Sequence, residues 1–456
     1  MFIHTQPSTH LIFRGLAPLL VLALVLFTGC ADDAMAPDDR DPFDDLLEAI
    51  EVEEEDLDGA DMDALKASLD AAAMAEAVRD SDSDDDPSER GRPVRIVRPG
   101  DSIQEAIDAV AEGGFVFVRP GVYVDSLVIN KSLHLVGLGR PGGVVIRDPG
   151  GGQNGIFARD IRGLSLINLK VEGFAANGVF LIDVNGFLIH RLRTDQLGVG
   201  AYGLFPVRSR NGLITHCTAT GADDSGIYVG QSENVAVVRN EAFGTVIGLE
   251  AENVRRTAWA RNTAYDNAAG MLAILLPEGG YVQITHADQL YVAHNDLSDN
   301  NGENFAPGGL AAAVPSGTGL LVFGYDDSEI TRNDVTGNQF VGIGLASAVT
   351  LLAAAGRFED LPLLATIEQG PHPDNVRIVD NEVPDNGFGA PLEVTLPDGS
   401  TIPVPAADLI WDKPIIDLLG MDPDFPFGEY GEGNCWADNT YETSFPDSLP
   451  SCDGGA

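Results

Sequence analysis

The stretch Gly226-Ile-Tyr-Val-Gly-Gln-Ser-Glu-Asn-Val-Ala-Val-Val-Arg-Asn240 decides the fold, because its two halves recur along the chain. The first half, a glycine followed by alternating apolar residues, also begins at Gly178, Gly203, Gly248 and Gly270. The successive intervals are 25, 23, 22 and 22 residues. It resumes at Gly319-Leu-Leu-Val and Gly342-Ile-Gly-Leu after an interruption. The second half, a short strand ending on asparagine, returns at Asn253 to Asn262, Leu290 to Asn295, Ile330 to Asn333 and Val376 to Asn381. Asn211-Gly-Leu-Ile-Thr-His-Cys217 is the same unit with cysteine in the asparagine place.

A period of about 22 residues accommodates three strands of 3–5 residues and their turns. Each strand then pairs in parallel with its equivalent one coil away, at about 4.8 Å. The chain is therefore read as an all-β solenoid of parallel strands, with apolar residues stacking inward as columns. An asparagine at a fixed turn tolerates a left-handed backbone, and its amide is satisfied in the interior only if neighbouring coils repeat it. Asn240, Asn262, Asn295, Asn333 and Asn381 are predicted to form such a ladder. By the same register Cys217 is a buried small residue.

Outward from the repeats, Ser102-Ile-Gln-Glu-Ala-Ile-Asp-Ala-Val110 carries an N-cap serine, a glutamate in the first turn and apolar residues four apart, which predicts a short helix. Placed before the first coil, it would shield the open end of the core. Insertions at Leu276–Thr318, Ser347–Asn375 and Ala390–Gly433 break the period and are candidates to build a site at one side.

The chain has 456 residues, 52 of them glycine, and only 7% aromatics, a composition suited to many turns and rows of small side chains. The formal charge of −43 argues against binding a phosphate backbone, so nucleic acid is excluded as a partner. Residues 31–92 read as an acidic, mostly disordered linker; from Ala31 to Arg90 there are 24 Asp/Glu against 4 Lys/Arg. Before it, Arg14 precedes an apolar run from Leu16 to Phe27, too short for a membrane span of about 20 residues. The run closes on Thr28-Gly-Cys30, which resembles the lipobox of bacterial lipoprotein signals. That resemblance makes residues 1–30 a signal ending at a lipidated Cys30, places the protein in a bacterial cell envelope, on the periplasmic side or the cell surface, and limits membrane contact to the anchor. Ordinary signal-peptidase cleavage or an uncleaved anchor are the other readings. In such an oxidising compartment Cys435 and Cys452, close together near the C-terminus, are expected to form a disulfide. The solenoid domain is taken as residues 93–456.

The helix followed by Pro120-Gly-Val-Tyr resembles the N-terminal cap and first coil of the pectin-lyase-like superfamily of right-handed parallel β-helices. Asp224-Ser-Gly-Ile-Tyr-Val-Gly-Gln-Ser232, Ile247-Gly-Leu-Glu-Ala-Glu-Asn253, Asn300-Asn-Gly-Glu-Asn-Phe-Ala-Pro307, Leu409-Ile-Trp-Asp412 and the closing Asn434-Cys and Leu449-Pro-Ser-Cys452 are similar to a family of bacterial parallel β-helix repeat lipoproteins. The resemblance implies a right-handed parallel β-helix and, through distant relatives, lyases, hydrolases and epimerases of acidic polysaccharides. Ala222-Asp-Asp-Ser-Gly-Ile-Tyr-Val229 also resembles the paired-aspartate segment of polygalacturonases. The stretch one coil on, Gly244-Thr-Val-Ile-Gly248, lacks that family's histidine, which argues against a hydrolase of this type.

Alternation from the repeat glycines puts Phe180, Phe205, Tyr228, Glu250 and Leu272 in one exterior column. Asp223 and Asp224 lie in the turn beside it, and Glu250 and Glu252 share a strand face about 6.6 Å apart. The expectation is a shallow groove with Phe205 and Tyr228 as ring platforms. Its carboxylates Asp223, Asp224, Glu250 and Glu252 are candidate catalytic acids or ligands of a calcium ion (Ca2+), or else ordinary surface acids. An insertion covering the aromatics is the competing expectation. Trp411 serves either as a stacking platform or as a buried loop anchor. His190, His216 and His294 near ladder positions are a further metal candidate, although Arg239, Arg261 and Arg332 share that register. Two functions follow: a binding or scaffold lipoprotein for a polysaccharide or an envelope protein partner, and a lyase or epimerase of uronate sugars, which would need Lys or Arg in its groove.

Overall fold

The structure, a computed structural model, describes residues 94–395, 400–419, 427 and 430–452. The expectations for the export signal, Cys30 and the acidic linker fall outside these residues. Among the described residues no helix is long and apolar enough to cross a membrane.

The strands stack in columns. One sheet holds 12 strands and a second holds 16, with a two-stranded antiparallel hairpin, Leu392–Thr395 with Thr401–Val404, in the last insertion. Within the two large sheets the pairing is parallel. Thr257, for example, pairs with Val235 one coil before and Leu290 one coil after. The second sheet comprises two faces: short strands such as Glu241–Phe243 and Thr263–Tyr265, and longer ones such as Ile247–Glu252 and Ala269–Ile274. Three strands per coil are thus present. Ile227, Leu249 and Met271 follow one another inward on one face, and Val237, Trp259 and Val292 on another, all fully buried.

The first coil is closed by the helix Ile103–Ala109, whose N-cap Ser102 accepts from the Glu105 amide at 3.2 Å. Ile103 and Ile107 drop into the end of the core. On its outer side Gln104 imitates a strand: its amide donates to Val128 O at 3.0 Å and its carbonyl accepts from Val128 N at 2.8 Å. That occupies an edge that would otherwise template pairing with another chain. At the far end a disulfide joins Cys435 to Cys452.

The asparagine ladder is present, and it continues to Asn439. Each Nδ2 donates to the next Oδ1 at 2.9–3.0 Å from Asn240 through Asn262, Asn295, Asn333 and Asn381 to Asn439. The same oxygens accept the backbone N–H of the preceding member. Cys217 starts the row, buried, with its N–H on Asn240 Oδ1 at 2.9 Å. One detail differs from expectation. The left-handed residue is not the asparagine but the one before it: His216, Arg239, Arg261, His294, Arg332 and Asp380 have φ of 53–58°. That residue takes the strained conformation at the exterior, so the asparagine itself can turn its amide inward.

A second ladder accompanies the first at the opposite corner of the short strands. Thr245 Oγ1 donates to Asn267 Oδ1, Asn267 Nδ2 to Asn300 Oδ1, and Asn338 Nδ2 to Asn386 Oδ1, at 2.8–3.0 Å. Asn300 N is held by Asn338 Oδ1, and the row ends where Asn386 N meets Asp408 Oδ1 at 2.7 Å.

Removing one rung leaves several buried polar groups without partners. Asn295→Ala is expected to lower the unfolding free energy by about 3 kcal/mol or more, while Asn211→Ala, on a half-exposed row, costs about 1 kcal/mol. Denaturant unfolding of the two variants checks this; equal losses would contradict the ladder's weight.

Candidate functional site

The exterior of the long-strand face carries one side chain per coil. In register, Val128 is followed by Phe157, Phe180 and Phe205, then Tyr228, Glu250, Leu272, Leu321, Gly344 and Ile410. The column changes character along its length. Phe157, Phe180 and Phe205 are half-buried and follow each other at 5.3 and 5.0 Å between ring centroids. Tyr202 lies flat on Phe205 at 4.0 Å, 3° from parallel, and Tyr228 leans on both. Beyond Glu250 the column is apolar and covered. Leu272, Leu321 and Ile410 pack under Leu310 and Val314 of one insertion and Leu351 of the helix Ala348–Ala354. Leu392 and Val404 of the hairpin complete the cover. At Gly344 a Cβ would fall 2.4 Å from the Leu321 side chain, so the leucine of the preceding coil fills the place of a side chain there.

The carboxylates sit where the open and covered halves meet. The expectation of exposed acids is corrected here: Glu250 and Glu252 do point away from the solenoid core, yet they are 5% and 2% exposed, and Tyr228 is 1% exposed. The reason is the Leu276 to Ile284 segment laid over them. Asn253 grips it at Leu276 and Ile284, and Gln231 Oε1 accepts from Gln283 N at 2.7 Å. A tight turn at Gly279–Val282 presents Tyr281, whose hydroxyl donates to Glu252 Oε2 at 3.1 Å. Tyr228 also hydrogen-bonds Glu252, whose Oε1 is buried without a partner among the described residues.

Asp224 and Glu250 share Ser225. Its hydroxyl reaches Asp224 Oδ1 at 3.1 Å and contacts Glu250 Oε2 closely, and Tyr202 OH donates to Asp224 Oδ2 at 3.0 Å. A hydroxyl has one proton, so when Ser225 donates to one carboxylate it accepts from the other in its protonated form. Burial dominates the acidities. It pushes Asp224 up to about 6 against the Tyr202 and Ser225 hydrogen bonds, and Glu252 up to about 7 against those of Tyr228 and Tyr281. Burial, then Asp224 and Glu252, raise Glu250 well above the carboxylate range. Asp223, half-exposed, is raised by burial alone. The Asp224 and Glu252 values are acidities at which a proton is exchanged near neutral pH.

Other expected site residues are placed differently. Among the described residues no group of three or more His, Cys, Asp or Glu side chains is arranged to hold a metal ion. His190 pairs with Thr215, and so stands one residue out of register with His216, and is buried. Trp411 is buried as an anchor, not a platform, against Trp436 at 5.2 Å and Tyr430 at 5.6 Å. Beside it a polar knot that the sequence did not signal ties two insertions together. Asp412 accepts from Tyr430 OH at 2.6 Å, from Ser347 N at 2.9 Å and from Thr350, and His372 meets Ser347 Oγ at 2.8 Å.

The profile of the family described as right handed beta helix region matches residues 154–312. The solenoid is a right-handed parallel β-helix. No curated protein sequence matches the chain significantly. Among solved structures, the β-helix is similar to the A-module of the Azotobacter vinelandii mannuronan C-5 epimerase AlgE4. The identity is 17%, over 74% of this chain and 89% of that one, with a TM-score of 0.49. It is also similar to an alginate lyase from Paenibacillus sp. str. FPU-7, at 12% identity over 63% and 94% of the two chains, TM-score 0.45. Pectate lyase Pel9A matches at 12% identity over 79% and 81%, TM-score 0.40.

The buried acids make the stability of the β-helix depend on pH. Their folded pKa values lie above the unfolded ones, so the native state holds more protons and stability falls as pH rises from about 4, the unfolded value, through the folded values of about 6 and 7. Denaturant midpoints measured from pH 5 to pH 8 should decline, and Glu252→Gln should flatten the decline. A midpoint that rises across this range would contradict the buried cluster.

Proposed function

We propose that the protein binds a polysaccharide chain along the long-strand face, as a lipid-anchored component of a bacterial cell envelope. The observation that carries this reading is the row of half-buried rings, Phe157, Phe180 and Phe205, one per coil at 5.0–5.3 Å, with Tyr202 stacked alongside. Sugar rings offer apolar faces that lie flat on aromatic side chains, and rings held on rigid strands lose little entropy in doing so. The covered half of the column acts as a wall, so a bound chain would run over the aromatics and stop near Tyr202 and Asp223.

A second reading is favoured by the carboxyl cluster. Asp224, at about 6 and bridged by Ser225 to Glu250, and Glu252, at about 7, are flanked by Tyr202 and Tyr228 and together have the proton inventory of an acid–base centre. A lyase or epimerase of uronate sugars also needs a cation for the sugar carboxylate. Arg357, whose charge acts on Glu252, is engaged with Asp360 at 2.6 Å. Binding is therefore ranked first.

Isothermal titration with pectate, alginate and neutral glycan oligomers tests the groove. Phe180→Ala with Phe205→Ala should weaken binding about tenfold or more, the loss of roughly 1.4 kcal/mol, with an unfolding midpoint close to the parent's. Unchanged affinity would remove the groove, and release of unsaturated, ultraviolet-absorbing uronates would put the enzyme reading first.

A further inference from the structure

A different corner of the β-helix carries a charge pattern at odds with the rest of the chain. The residues just after His190, Thr215, Val238, Ala260, Ala293 and Thr331, which pair coil to coil, are Arg191, His216, Arg239, Arg261, His294 and Arg332. They stack on six successive coils, all left-handed with φ of 52–58°, and all at least partly exposed. The asparagine ladder begins immediately behind His216 and fixes the backbone of the rows that follow. In a chain with 27 Lys and Arg against 70 Asp and Glu, this column holds four arginines and two histidines. Asp380 and Asp438 occupy the same turn afterwards and end it.

The neighbouring short-strand face supplies the second observation. Two residues beyond the stripe, the exterior positions in register are Arg193, Thr218, Glu241, Thr263, Asp296 and Asp334. On the coils of Arg191 to Arg261 this flanking face holds one cation, Arg193, and one acid, Glu241, which is engaged with Tyr265, and the acids Asp296 and Asp334 follow. Four residues beyond the stripe, Phe243 and Tyr265 lie face to face at 5.2 Å and 11°, half-buried, with Tyr265 OH held by Glu241 Oε1 at 2.9 Å. The two rings thus flank Arg239 and Arg261 on the same coils. The imidazole of His216 is kept largely neutral at pH 7, since burial and then Arg239 and Arg191 lower its pKa to about 4. The arginines carry the charge, and His216 contributes a polar ring between them.

We infer that this corner is a docking surface for an anionic linear polysaccharide, its acid groups on Arg191, Arg239 and Arg261 and its sugar faces on Phe243 and Tyr265. Coils advance by about 4.8 Å, close to the advance of one residue in an extended sugar chain, so one acid group meets one coil. Guanidinium groups bind carboxylates in a planar, two-pronged geometry, and the aromatic pair adds a contact that charge alone does not provide. A nucleic-acid duplex fits poorly, because its close-spaced phosphates on two strands would reach past this narrow strip to the acids Asp296, Asp334 and Asp380. The surface lies on a different face from the Phe180 and Phe205 groove and does not depend on it.

The test is affinity electrophoresis of the purified full chain through gels containing polygalacturonate, dextran or duplex DNA. The wild-type protein should be retarded by polygalacturonate alone, and less so as salt is raised. Arg239→Glu with Arg261→Glu should weaken retardation about tenfold. Arg162→Glu with Arg210→Glu makes the same charge change at exposed positions across the sheet and should alter it less than about twofold. Arg239→Gln with Arg261→Gln should fall between them, and unfolding midpoints confirm that all three variants fold. Phe180→Ala with Phe205→Ala should leave this retardation intact, which separates the corner from the groove. Absence of wild-type retardation, equal losses in the two charge-reversal variants, or equal retardation by DNA or dextran would overturn the assignment.

Discussion

An asparagine amide inside this solenoid is satisfied by its copy one coil away, and everything else is arranged around that dependence. Asn262 shows the economy of the arrangement: its Oδ1 accepts from both the amide and the backbone N–H of Asn240, while its Nδ2 reaches Asn295 and the carbonyl of Val237. Such a buried polar row holds only if coils keep register, because a slip by one residue would turn amides outward and leave their partners stranded. The ladder therefore converts a local residue choice into a global rule that like sits over like. Strands, inward columns and exterior columns inherit that rule.

The exterior columns are where function can be written. On the long-strand face, aromatic rings succeed one another until the insertions begin, and three acids sit at that boundary under Tyr281. Burial of Asp224, Glu250 and Glu252 costs stability in the ionised state, which a purely structural surface has no reason to keep. At the corner behind the ladder the strained left-handed position faces solvent, so its side chain is free to vary in charge. Over six coils it is Arg or His, and afterwards Asp. The same rule thus yields an aromatic row on one face and a cationic row on another, both fixed to the spacing of the coils.

Much of this was legible in the sequence because periodicity is a property of residue types. The glycine-led strands, the first asparagine row, the capping helix at Ser102 and the pairing of Cys435 with Cys452 all declare themselves locally. The second row was equally available: Asn267, Asn300, Asn338 and Asn386 each follow a first-row asparagine by five residues. It is less conspicuous because the strands between the two rows, such as Thr263–Tyr265, are only three residues long and offer little alternation to count from. What periodicity does not encode is how insertions fold back. Glu250 and Glu252 are exterior by alternation, yet buried because Asn253 and Gln231 pin a distant segment over them. Trp411 became an anchor for the same reason, since Tyr430 and Trp436 reach it from late in the chain. Which backbone position is left-handed was also hidden, because asparagine tolerates that conformation well and alternation gives no φ.

The most direct measurement of the stacking is a pulsed dipolar distance between spin labels at Arg162→Cys and Arg255→Cys in a background with Cys217→Ala. These exposed positions are linked through Asn185, Arg210 and Glu233 by successive parallel pairings. Four coil steps put their backbones about 19 Å apart despite the long stretch of sequence between them. A narrow distribution near that value, widened only by the label arms, is the predicted result. A broad distribution, or a mean beyond about 35 Å, would contradict the stacked coils on which both proposed surfaces rest.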